Sequence, residues 1–144
     1  MLSAGASPGS GFSDLSPSVH LALPRDVRAP HIARVALRDL LASRGWPPAG
    51  DAELIVSELV ANAVMHGVGQ IALTLWLAEG RIRGEVADAG LGPPPRPPGP
   101  GEGSIGGRGL AIVDSLSDRW GTASSTGRVW FETAIAREAD RSAS

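Results

Sequence analysis

Glu58, Asn62 and His66 recur at intervals of four within Ala52–Gly67, a run that is otherwise almost wholly apolar. On an α-helix that interval stacks three polar side chains along one narrow stripe. A helix apolar on its other sides is normally buried. Burying a carboxylate and an amide without partners costs several kcal/mol, on the order of 2–7 for a neutral polar group and more for a charge. Either the fold satisfies these groups internally or the stripe faces a polar ligand. Two further clusters could do chemistry. Asp88-Ala89-Gly90-Leu91-Gly92 is a D-x-G-x-G at the end of an apolar segment, a pattern that alone is also common in turns. Gly106-Gly107-Arg108-Gly109 opens a run with Leu110, Ile112, Val113 and Leu116 at helical spacing. Glycines at a helix start let backbone N–H groups approach an anion, which the helix dipole also favours. The competing reading is an ordinary flexible entry to a helix.

Composition narrows the chemistry. The chain has 144 residues and a formal net charge of -2 with a pI near 5.9, so no general attraction to nucleic acid or anionic membrane is expected. All 13 basic residues are Arg. Without Lys there is no Walker A loop, no protein-kinase strand lysine and no Schiff base. Without Cys there are no thiol nucleophiles, disulfides or cysteine metal sites. Gly5-Ala6-Ser7-Pro8-Gly9 matches a nucleophile elbow in letters only, because no strand precedes it and no helix follows. The first residues lack a basic n-region, and no apolar run reaches spanning length, so a cytoplasmic, non-membrane protein is expected.

The elements that must position these clusters follow from periodicity. Residues 1–16 and 138–144 are expected to be disordered tails around one domain at 17–137. Val19–Leu23 reads as an edge strand before Pro24, with Asp26 as the cap of a helix carrying Ile32, Val35, Ala36 and Leu40 inward. Arg28, Arg34, Arg38 and Asp39 are expected outward. Gly45 ends that helix, and Asp51 is expected to cap the next. His66 lies in its last turn, where the dipole favours a cation. Ile71, Leu73, Leu75 and Leu77 alternate as a strand, Glu79-Gly80 turns, and Arg81–Asp88 returns. Between Gly92 and Gly103 the chain is nearly all Pro and Gly, too long and too broken for an element, and is expected to be a lid or disordered. Two further strands, 118–124 and 128–136, close the domain.

Taken in order, Ser57-Glu58-Leu59-Val60-Ala61-Asn62-Ala63-Val64-Met65-His66-Gly67, the D-x-G-x-G and Gly106-Gly107-Arg108-Gly109-Leu110-Ala111-Ile112-Val113 resemble three motifs. These are the N box and the two glycine boxes of the GHKL ATPases, the superfamily of histidine-kinase catalytic domains and gyrase. The likeness is strongest to its small single-domain anti-sigma-factor serine kinases and covers Leu21 to about Ile135. It implies the Bergerat fold: an α/β two-layer sandwich with a mixed, mainly antiparallel sheet and helices on one face. It implies ATP and magnesium as ligands, with Glu58 as general base and Asn62 on the metal. Asp88 would accept from the adenine amino group, and Gly90 and Gly92 would let the backbone pass the base. Gly106, Gly107, Arg108, Gly109 and Leu110 would cradle the phosphates, and His66 is a further candidate ATP contact. Many members use a threonine near the adenine, and Thr133 is the candidate here. The implied partners are a sigma factor and a STAS-domain antagonist, phosphorylated on serine; a homodimer is compatible with this, direct nucleic-acid binding is not expected. A nucleotide-gated binding module with little catalysis is the alternative.

Overall fold

In the computed structural model the described residues are 12, 16–88, 105–123 and 127–135, side chains of 105–110 and 123 apart. Eight elements follow in the order β1 (Val19–Leu23), α1 (Ala29–Ser43), α2 (Gly50–His66), β2 (Ile71–Ala78), β3 (Arg81–Ala87), α3 (Ile105–Leu116), β4 (Arg119–Ala123) and β5 (Arg128–Ala134).

The first helix buries Ala29, Ala33, Leu37, Leu40 and Leu41, one face at intervals of three and four. Its end is closed by two backbone bonds, from Gly45 N–H to the Ala42 carbonyl at 3.1 Å and from Trp46 N–H to that of Leu41 at 2.9 Å, the paired geometry of a Schellman motif. Its start differs from expectation. Asp26 is not the cap: the preceding residue is Arg28, no side chain caps the helix, and Pro30 occupies the first turn. The Asp26 carboxylate instead accepts from the N–H of Arg28 at 2.9 Å, a local turn. Nor does Asp51 cap the second helix. That helix starts one residue earlier, after Ala49, and Asp51 and Glu53 lie in its first turn, where the dipole favours negative charge.

One sheet carries the strands in the order β1-β2-β3-β5-β4. Every pairing among the described strands is antiparallel, so the expected mixed character is absent there. Strands β2 and β3 are joined by Glu79 and Gly80, both at positive φ (50° and 80°); two such residues make the turn whose twist matches a hairpin. Strict alternation then sorts the side chains. Leu73, Leu75, Leu77, Ile82, Val86 and Phe131 point to the helices and join Leu37, Leu41, Ile55, Val56, Leu59, Val60 and Val113 in one core.

The opposite face of the sheet is polar and aromatic. Arg83 is 4 % exposed and Glu132 0 % exposed, and they pair at 2.9 Å. The same guanidinium meets Glu85 at 2.9 Å and lies 4.6 Å above Trp130 and 5.7 Å above Trp76. Arg81 and Arg119 add longer contacts to Glu132, at 3.6 and 3.9 Å. A buried ion pair offsets its own desolvation better the more of its lone pairs and protons are engaged; here the charges come in a connected set, in which the longer contacts from Arg81 and Arg119 fall on Glu132 Oε1.

Candidate functional site

Helix α2 is held by its buried residues Ile55, Val56, Leu59 and Val60, packed between α1, α3 and the sheet. Each contributes roughly 1.5–3 kcal/mol of burial. Their sum outweighs the ~1–3 kcal/mol that one unsatisfied buried polar atom costs, so the helix can carry such an atom. It does: the Nδ2 atom of Asn62 is buried with no hydrogen-bond partner. One turn earlier, Glu58 is half-buried and has no partner among the described residues. His66, one turn later, is exposed. The stripe therefore runs along the boundary of the core, with exposed Leu54 and Met65 beside it. The helix is less completely enclosed than its composition implies.

Strand β3 lies under α2 and delivers Asp88 to the end of that helix. The Asp88 N–H donates to the Gly127 carbonyl at 3.1 Å, tying the strand end to the turn before β5. Its carboxylate rests directly on Gly67: a Cβ placed there would overlap the Asp88 oxygen and lie 2.7 Å from the carbonyl oxygen of Ala63. Only glycine permits this approach. The last turn of α2 and the end of β3 thus meet, although nothing local in the sequence joins them.

Helix α3 packs along α2, and Gly106, Gly107, Arg108, Gly109 and Leu110 form its first turns. The N–H groups of a first turn have no intrahelical acceptor. Gly90 and Gly92, and the Pro-rich stretch after them, lie outside the described residues. Thr133 is not brought to this end. It pairs with Ile82, six residues along β3 from Asp88, about 20 Å away at ~3.3 Å per residue. Its hydroxyl lies 3.5 Å from the Leu116 carbonyl.

Several contacts went unread in the sequence. Arg25, in the loop after β1, donates to the carbonyls of Ala63 at 2.6 Å, Val64 at 3.0 Å and Gly69 at 2.8 Å. Glu53 is buried against Arg38, with bonds of 2.7 and 3.2 Å, and Arg34 donates to the Ser57 hydroxyl at 2.8 Å. Both arginines were expected to face solvent; Arg38 remains half-open but is engaged, and Arg34 is half-buried. The sequence signals for these were slight: Arg25 stands shortly before α1, and Arg34 and Arg38 lie four apart within it.

An open pocket of about 350 Å³ lined by Pro48, Gly50, Asp51 and Ile135 lies at the opposite end of α2, about 24 Å from His66 at ~1.5 Å per residue. It brings none of the polar stripe together and is a separate feature. Among the described residues no cluster of three His, Asp or Glu could cage a metal, and no helix is long and apolar enough to cross a membrane.

Asn62 and Glu58 therefore keep bonding capacity along α2, and Asp88 lies against the end of that helix at Gly67. Magnesium keeps few protein ligands and prefers oxygens, sharing them with substrate phosphates. Asn62 fits that demand, since a half-turn of its amide presents either the oxygen or the orphaned NH₂ to the same space.

Known proteins share the family and the fold. A family model described as a histidine kinase-like ATPase domain matches residues 22–130. Curated proteins offer no match. Among solved structures, the RsbU and RsbW domains of Rv1364c from Mycobacterium tuberculosis superpose with a TM-score of 0.60 at 25% identity, over 85% of this chain. The match spans 33% of that longer chain.

Proposed function

The chain belongs to the histidine kinase-like ATPase domain family, and from that premise we propose that it binds ATP with magnesium and transfers phosphate to a serine of a partner protein. The observation that carries this reading is the buried amide nitrogen of Asn62 one turn from the Glu58 carboxylate, both without a partner among the described residues. Structural polar groups inside a core are satisfied; these two have capacity left for a ligand. Asn62 would hold the metal and Asp88 the adenine amino group. The first turn of α3, with Arg108, would take the phosphates, since no Lys exists to do so. Bound with the nucleotide, magnesium would offset the phosphate charge. Glu58 would accept the serine proton as the hydroxyl attacks, because phosphoryl transfer asks the protein mainly to position groups and balance charge. Likeness to the RsbW-containing structure supports a regulatory setting of this kind. There the chain would sequester a sigma factor and phosphorylate a STAS-domain antagonist.

Calorimetry with ATP and GTP tests the base contact. A buried hydrogen bond to a charged group contributes roughly 1.5–3 kcal/mol, so Asp88→Asn is expected to lower ATP affinity tenfold or more. Unchanged affinity in a folded Asp88→Asn variant removes the adenine from that position. If the wild type binds ATP yet transfers no phosphate to a co-purified partner, a nucleotide-gated binding module takes the place of the kinase.

A further inference from the structure

The Arg25 guanidinium bonds three carbonyls on two segments. Ala63 and Val64 belong to the last turn of α2, where carbonyls lack intrahelical donors and a cation is favoured. Gly69 sits in the turn that leads into β2, with its φ at 76°. One side chain thus bridges the helix end and the turn, and the stretch it spans contains Gly67. That glycine is the surface on which the Asp88 carboxylate rests. Arg25 is exposed, so solvent weakens its charge–dipole attraction; what it supplies is geometry, a fork of fixed N–H directions. The Ala63 carbonyl is shared between this arginine and the Gly67 N–H, the latter at 3.0 Å. If the arginine goes, this helix end loses its side-chain clamp to the Gly69 turn, and Gly67, still bonded to Ala63, holds the seat of Asp88 less firmly.

We infer that Arg25 is a positioning residue for the nucleotide base, holding the end of α2 where Asp88 can read the adenine. The inference rests on the proposal that Asp88 binds that base. Its test is calorimetric titration of the full chain with ATP and with GTP, in wild type, Arg25→Gln and Arg25→Lys, alongside thermal melts. Arg25→Gln is expected to lower ATP affinity about tenfold, the size of one misplaced charged hydrogen bond. It should narrow the ATP-to-GTP preference while leaving the transfer rate at saturating ATP near that of wild type. Arg25→Lys, which keeps a cation within reach of the carbonyls, should recover part of the preference. A lower melting temperature in Arg25→Gln with unchanged affinity and preference makes the residue a plain helix cap and overturns the inference. ATP binding by wild type that is matched by Arg25→Gln overturns the role of Arg25 and leaves the nucleotide reading standing. Wild type that binds no ATP sinks the nucleotide reading first, and the inference with it.

Discussion

Two polar clusters flank the same sheet and are built by opposite rules. On the face away from the helices, Arg83 meets Glu132, Glu85 and the rings of Trp130 and Trp76. Charge there answers charge. On the helix side, Glu58 and Asn62 stand half-buried, and neither the Glu58 carboxylate nor the Asn62 amide nitrogen has a partner among the described residues. The first cluster is richer in charge and more deeply buried, yet it is the second that reads as a site. Burial of polar groups by itself is a poor guide to function; leftover bonding capacity is a better one.

The sharpest way to break this contrast is Glu58→Gln. A positioned base contributes on the order of 10²- to 10⁴-fold, so transfer of labelled phosphate to the partner should collapse by that factor. Nucleotide affinity and melting temperature should barely move. Equal transfer by both proteins means Glu58 is not the base.

Glu132→Ala should do the reverse. Removing one partner of a buried pair costs about 3–5 kcal/mol, and because Glu85 stays on Arg83 the lower end, ~3 kcal/mol, is expected. Denaturant titration would register the loss, while ATP affinity of the folded fraction stays at the wild-type value. A large affinity loss would make the far face part of the site.

Asn62→Ala separates the clusters more finely. It removes no bond the protein makes among its described residues, so the nucleotide-free melt should hold steady or rise, by up to ~1 kcal/mol of relieved desolvation. Binding of magnesium-ATP should fall sharply. A destabilised apo protein would instead mean that the amide has a structural partner.

The smallest effect is expected at Asp26, outside both clusters. Hydrogen bonds from the side chain and N–H of Arg28 hold its carboxyl below the usual carboxylate range. A lowered folded-state value stabilises at pH above the unfolded one, and the gain fades as pH falls through the folded value. The pair is exposed, so Asp26→Asn should lower the melting temperature only slightly at neutral pH. That difference should vanish on acidification. A difference that persists in acid assigns the effect to the backbone turn.

What the sequence determined by itself was everything with a short range. The stripe of Glu58, Asn62 and His66, the alternation of Ile71 to Leu77, the Glu79-Gly80 turn and the Gly45 helix end all express periodicities or backbone preferences within a few residues, and each appears in its expected place. The three boxes in order also pointed to the family that the 22–130 match bears out. Caps were misplaced at Asp26 and Asp51 because a cap depends on which residue first turns helical, a choice made by packing. The rest was decided only by tertiary structure. Asp88 reaches Gly67, Arg25 reaches Ala63 across 38 positions and Glu53 finds Arg38 because the register of five strands and the docking of three helices place them there. Thr133 lies far from Asp88 for the same reason: strand identity follows from alternation, but register comes from pairing, and the β3–β5 pairing sets that residue opposite Ile82.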